Sequence, residues 1–437
     1  MPPLEEEKKV GITEFYTKKS GIGGKLRFIP EDFRVVEIPK ELPKSVDGKF
    51  VIVSITAKNW ETNRLIHEIA KNLRISRKRI GFAGTKDKRA LTTQLFSIYY
   101  PKDDLPALNI RDVSITPLCR SDKGLEIGDL RGNRFEIVIR CIGGEKKKVE
   151  RQMRSIATAL LSLGGFPNFY GIQRFGVVRP ITHLIGRYMV KGEFEKAVNL
   201  YLTYSTDEEN EMDRKAREVF ARERDISNAI NVFPSHLLFE RSLLNALAKK
   251  PDDYVAALQT LPKNLLMMFV FAYQSYFFNR ILSERIKKGL PLNNAVVGDI
   301  IVPVTREGDY EKPIPVTSGN IEKVKRAINR GKAAVTGAVV GYDTLFAKGV
   351  MGEIEHAVVE DEKIDVREFI IPELPFLSSS GGRRTLLAPF TGFKWVCRVD
   401  DLNPGKLAVH LSFTLRKGCY ATSLLREIMK ADKITAY

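Results

Sequence analysis

An α+β fold is predicted by three observations. Strand-like runs alternate with helical stretches over the first ~175 residues, the middle of the chain turns charged and helix-favouring, and the end returns to a sharply alternating strand followed by a helix. Phe50 to Thr56 is a largely apolar run, and Leu65, Ile66, Ile69, Ala70 and Leu73 then recur at helical spacing behind Thr62, the expected N-cap. Phe135, Ile137 and Ile139 alternate with Glu136 and Arg140. Val149, Met153, Ile156, Leu160 and Leu163 then mark one helical face, until Gly164 and Gly165 stop it. From Arg187 to Leu261 the chain offers charged helical stretches such as DEENEMDRKAREVFARERD. A further helix runs from near Pro262 to Gly289, with Leu266, Phe269, Tyr273, Phe277 and Ile281 as its core stripe. Short β-type runs occupy Val296 to Gly341. Leu407, Val409, Leu411, Phe413 and Leu415 then take every second position of a half-buried strand, and RKGCYATS turns into a helix carrying Leu424, Leu425, Ile428 and Met429. Because this tail resembles the first part more than the middle does, one domain is expected to be interrupted by another.

Composition narrows the function. The 437 residues suffice for two large or three average domains, and 70 Lys and Arg against 53 Asp and Glu leave a formal charge of +17, which favours a polyanionic partner, nucleic acid first. The longest apolar stretch, Leu265 to Tyr273, falls short of the ~18 to 20 residues that span a bilayer, so no transmembrane helix is expected. MPPLEEEKKVG has no apolar signal region, and a cytoplasmic location is expected. Cys119, Cys141, Cys397 and Cys419, like His67, His183, His236, His356 and His410, lie too far apart for a zinc motif. GKAAVTGAVVG lacks the Gly-Lys-Ser/Thr ending of a phosphate-binding loop. A reduced protein with no metal and no nucleotide site is expected.

The candidate chemistry lies between Lys71 and Arg89. Lys71, Arg74, Arg77, Lys78, Arg79, Lys86, Lys88 and Arg89 surround one acid, Asp87, and such a field favours an ionised carboxylate. In GFAGTKDKRALTTQ, Gly81 and Gly84 permit a tight turn that presents Asp87 at a strand end. By spacing alone, the same residues describe a solvated basic surface on which the aspartate neutralises one lysine. Glu31, Asp32 and Glu37 are read as structural, since Phe33, Val35 and Val36 place them on a packed strand.

The frame around Asp87 resembles the catalytic motif of the TruD family of tRNA pseudouridine synthases, in which a Gly-x-Lys-Asp turn leads towards a Thr-x-Gln element. PEDFRVVEIP from Pro30, NFYGIQRFG from Asn168 and FTLRKGCYATSLLRE from Phe413 stand in family order around a poorly matched middle. The resemblance implies a pseudouridine-synthase catalytic domain with a mixed, mainly antiparallel sheet flanked by helices, spanning 1–176 and 371–437. An inserted α+β domain would occupy 177–370. It also implies isomerisation of uridine to pseudouridine, at uridine 13 of tRNA, without a cofactor. Asp87 would be the catalytic carboxylate, either attacking C1′ or abstracting the C2′ proton.

The resemblance further implies stacking walls at Tyr170 and Tyr420, where the bacterial members usually carry Phe, and a positioning role for Asn168, whose amide would hold Asp87 or meet the uracil edge. Arg27 stands where the family commonly has lysine; it preserves an ion pair but not proton transfer. Contacts to RNA are expected from Lys86, Lys88, Arg89 and Gln173, and from Arg383 and Arg384 in the flexible basic loop SSSGGRRTLLAPF. The implied partner is tRNA, with no membrane, no obligatory protein partner and a monomeric state. Two alternatives stay open: a non-catalytic RNA-binding protein or chaperone, and a synthase acting at other RNA positions.

Overall fold

The structure, a computed structural model, describes every residue except Met1, Pro43, Lys102, Asp103, Arg306 and Glu307. Its packing divides into two compact units. One contains Thr17–Phe166 and Ala388–Tyr437, with a short piece ending at Asp309; the other contains the N-terminal segment to Tyr16, Pro167–Thr305 and Tyr310–Leu387.

The first unit is built on an eight-stranded sheet. Its strands are β1 (Phe33–Pro39), β2 (Phe50–Lys58), β3 (Ile80–Phe82), β4 (Leu91–Tyr99), β5 (Val113–Ser121), β6 (Leu130–Ile142), β7 (Phe390–Val399) and β8 (Leu407–Arg416). The spatial order is β7-β8-β6-β1-β4-β2-β5, with β3 added beside β4. β1 and β4 run parallel in the middle, Val35 opposite Thr92, and the other pairs in this sheet are antiparallel. The α+β class is therefore as the sequence predicts, and the mixed, mainly antiparallel sheet is as the family resemblance implies.

Alternation along the strands sends apolar side chains to a helix-covered face, where they form two separate cores. Phe33, Val35, Ile137, Ile139, Val409, Leu411 and Phe413 pack with α2 (Lys146–Leu163) and α3 (Ala421–Met429). Val53, Ile55, Phe96 and Ile98 pack instead with Leu65, Ile66, Ile69 and Leu73 of α1 (Thr62–Leu73). Each helix has a physical start or stop. Glu61, rather than Thr62, caps α1 by accepting from the Asn63 and Arg64 amides, and Gly164 ends α2 with φ +79. Leu160 and Ile156 are fully buried, so truncating either to Ala should cost about 2–5 kcal/mol.

A buried ion cluster ties the strands together. Arg140 of β6 donates Nε to both oxygens of Asp32, at 2.8 and 2.9 Å, and Nη1 to Asp400 at 2.8 Å and Asp401 at 2.6 Å. Glu31 pairs with Lys58, whose hydrogen bond lowers its pKa. Both acids are structural, as read from the sequence.

In the second unit, the long helix Lys263–Lys287 forms the centre. It is long and apolar enough to cross a membrane, a property the shorter apolar run had not suggested. Yet 67% of its most apolar window is buried inside the unit, which makes it a core helix here. Leu266, Phe269, Tyr273, Phe277 and Ile281 are all buried, as their spacing predicts. Strands Ile300–Pro303, Ile314–Pro315, Ala333–Val339 and Gly382–Thr385 form a four-stranded sheet in this unit.

The packing boundaries differ from 176 and 371. Tyr170 is already bound by Asn279 of the long helix, and Gly382–Thr385 pairs with Ala333–Val339, so both segments belong to this unit. The N-terminal segment joins it through the Thr13 amide donating to Ser283 Oγ, at 3.1 Å, and Ser283 Oγ donating to the Gly11 carbonyl, at 2.8 Å. These are side-chain partners that no local pattern displays.

Candidate active site

The two cores of the sheet unit leave a polar seam between them. On β1 the core-facing positions run Phe33, Val35, Glu37, and on β4 they run Thr92, Gln94, Phe96; Glu37, Thr92 and Gln94 are therefore buried polar groups at the junction. Buried polar groups require partners, and the Asp87 loop between β3 and β4 supplies them. Lys86 Nζ donates to Glu37 Oε2 at 2.5 Å, with the two side chains 6% and 1% exposed. Glu37 Oε1 accepts from the Leu95 amide. Gln94 Nε2 donates to the Gly84 carbonyl at 3.3 Å, and the Lys86 amide donates to Thr62 Oγ1, at the start of α1, at 3.0 Å. The loop is thus held by β1, β4 and α1 together.

Asp87 projects outward from this cradle. Its side chain is 54% exposed, while that of Arg27, whose Nη2 donates to Asp87 Oδ2 at 2.8 Å, is only 12% exposed. The carboxylate is open to an incoming group, and its counter-ion stands behind it. Arg27 is itself constrained: its guanidinium lies 4.1 Å over the Phe33 ring, its backbone is left-handed at φ +53, and its carbonyl accepts from Arg89 Nη2 at 3.0 Å. Lys88 and Arg89 are exposed. Tyr420, half-buried in the same unit, stands at the N-cap of α3.

Lys86 requires a correction. It was expected to contact RNA, but its buried ammonium is committed to Glu37 and faces away from solvent. The sequence signal for Glu37 was present: a carboxylate at the third core-facing position of β1 needs a buried cation. Which cation meets it depends on the long-range pairing of β1 with β4.

The other expected residues lie in the second unit. Asn168 is buried, and its Nδ2 donates to the Thr385 carbonyl and to Thr385 Oγ1, at 2.9 and 3.1 Å, while Oδ1 accepts from Arg384 Nη2 at 2.7 Å. The partners described for this amide, Thr385 and Arg384, all lie within its own unit. Arg384 covers one face of the half-buried Tyr170 ring at 4.1 Å. Gln173 is exposed. Arg383 is a second correction: rather than lying on a flexible phosphate-binding loop, it sits on a strand with its side chain 2% exposed, paired with the buried Glu355 at 2.8 Å. Among the described residues, no group of three or more His, Cys, Asp or Glu side chains is arranged to hold a metal.

The class of protein follows from its relatives. The sequence profile described as tRNA pseudouridine synthase D (TruD) matches residues 9–428. A protein of Methanococcoides burtonii named probable tRNA pseudouridine synthase D is 43% identical over 98% of each chain, and one of Thermococcus sibiricus with that name is 38% identical over 95% of this chain and 97% of its own. A crystal structure from Methanosarcina mazei, also described as a tRNA pseudouridine synthase D, is similar across the whole of both chains, with TM-score 0.87 and 40% identity. The chain belongs to the tRNA pseudouridine synthase D family, an isomerase family that converts uridine to pseudouridine in tRNA.

Proposed function

We propose that this protein isomerises uridine 13 of tRNA, with Asp87 as the reacting carboxylate. The observation that carries the assignment of Asp87 is its setting: an exposed acid on a loop anchored from three sides, with a half-buried arginine against one of its oxygens. Arginine keeps its proton throughout. Arg27 therefore neutralises and orients Asp87 and takes no part in proton transfer, whether the carboxylate attacks C1′ or removes the C2′ proton.

In both routes the bond from N1 to the ribose breaks and one from C5 forms, so the uracil turns in place before the C5 proton leaves. A base reached this way must leave its stack. Tyr420, in the same unit as Asp87, offers a ring face for it, such a contact supplying ~1–3 kcal/mol, and the exposed Lys88 and Arg89 are suited to sugar and phosphate; in the second unit, Tyr170 and the exposed Gln173 are proposed RNA contacts. Incubating a tRNA transcript containing unmodified uridine 13 with the protein, followed by mapping of pseudouridine, tests the position. Conversion at uridine 13 alone is expected, and conversion elsewhere with uridine 13 untouched contradicts it.

A further inference from the structure

Of the eight basic residues that surround Asp87 in sequence, the structure removes Lys86, buried on Glu37, and commits Arg89 to the Arg27 carbonyl and Arg79 to the Tyr99 ring, 5.5 Å away. Lys88 stays exposed beside Asp87, and the other four fall into a row with Arg64 that the sequence does not show. Arg64 and Lys71 lie seven residues apart on the exposed side of α1 and share one helical face, and the exposed Arg74 follows directly as the left-handed C-cap, φ +52. Arg77 and Lys78 continue the row in the exposed turn that follows. None of these five has an ion-pair partner among the described residues, and Arg64, whose guanidinium lies 5.4 Å over the Trp60 ring, keeps its charge without a counter-ion. The two acids nearby are otherwise engaged: Glu61 caps the helix, and Glu68 accepts from Asn72.

The start of this row is fixed against the reacting loop, because Thr62, the first residue of α1, holds the Lys86 amide next to Asp87. A helix of 12 residues extends ~18 Å from there, the reach of several nucleotides. Helix electrostatics do not account for the row. Cations stabilise the last turn and are unfavourable in the first, which explains Lys71 but not Arg64 at the third helical position, nor Arg77 and Lys78 beyond the helix.

We propose that Arg64, Lys71, Arg74, Arg77 and Lys78 form a rail for the phosphodiester backbone of the RNA strand leading away from the nucleotide at Asp87. The rail rests on the RNA-directed function proposed above and adds where the strand runs. Phosphate contacts release counterions, so each contributes about 0.7 to 0.9 to the slope of log binding constant against log salt.

The test is binding of an unmodified tRNA transcript over a salt series by full-length Asp87→Asn protein, with and without the exposed substitutions Arg64→Ala, Lys71→Ala and Arg74→Ala. A control carries Lys147→Ala, Lys148→Ala and Arg151→Ala, the same charge change on the exposed side of α2, which packs in the other core. The rail predicts weaker binding and a slope shallower by roughly 2 to 3 for the α1 triple, with the control close to its parent. An unchanged slope for the α1 triple overturns the rail, and so does an equal loss in the control, which would assign the effect to diffuse charge. Salt-dependent tRNA binding that behaves as the rail predicts, in a protein whose wild type fails to isomerise uridine, would keep the rail and remove the catalytic reading. No tRNA binding by any form removes both.

Discussion

Arg27 and Asp87 meet through one short hydrogen bond, and the roles of the two are unequal. Asp87 is the exposed partner, and Arg27 is pinned between the Phe33 ring and the Arg89 contact to its carbonyl. Removing the guanidinium frees the carboxylate to rotate, and misplacement of a reacting group by about 1 Å can cost ~100-fold. Arg27→Met should therefore lower single-turnover isomerisation by about 100-fold, with Arg27→Lys retaining part of the rate because a cation remains in reach. Wild-type rates in Arg27→Met would remove Arg27 from the site. Asp87 stands out as a candidate in the sequence because it is the single acid among eight bases inside a recognisable motif. The fates of Lys86 and Arg383 were not legible there, because Glu37 and Glu355 reach them through strand and helix packing that no local window contains.

At the scale of the element, the Asp87 loop is ordered by a buried ion pair and two hydrogen bonds to neighbouring elements. Breaking a buried pair by deleting one partner strands a charge and costs about 3–5 kcal/mol, whereas replacing both partners by apolar groups is often neutral. Lys86→Met should thus lower the urea midpoint strongly. The double substitution Glu37→Leu with Lys86→Met should recover most of that stability while isomerisation stays depressed, since the loop has lost its attachment to β1. Recovery of both together would show that the pair serves stability alone. Strands and helices such as Leu407–Arg416 and Lys146–Leu163 were readable because their periods of two and 3.6 are local. Gly382–Thr385 was not: its glycines suggested a loop, and its strand character comes from pairing with Ala333–Val339.

For the whole molecule, acid stability traces to the cluster around Arg140. Burial pushes the Asp400 carboxyl up, but the Cys141 amide, the Arg140 guanidinium, the Leu402 amide and Asn403 together hold its pKa at about 2, below the ordinary value of 3.8. A carboxylate with a lowered native pKa contributes stability that is complete above the unfolded value and is lost as pH falls through the native one. Wild-type stability should therefore decline between about pH 4 and pH 2. Asp400→Asn should be less stable at neutral pH and should lose less across that window, as denaturant unfolding at several pH values would show. The interrupted organisation was visible from the return of strand and helix texture at the end of the chain. The boundaries at Phe166 and Leu387, and the membership of residues up to Tyr16 in the second unit, depend on three-dimensional partners such as Asn279 and Ser283.

Isomerisation by Asp87 is the proposal on which the function rests. Tritium release from tRNA labelled at C5 of uridine tests it most directly, comparing the wild type with Asp87→Asn while tRNA binding by both is measured. Release by the wild type, none above background by Asp87→Asn, and retained binding by the variant are expected. Release by Asp87→Asn at the wild-type rate, or none by the wild type from a tRNA it binds with uridine 13 unmodified, would contradict the account.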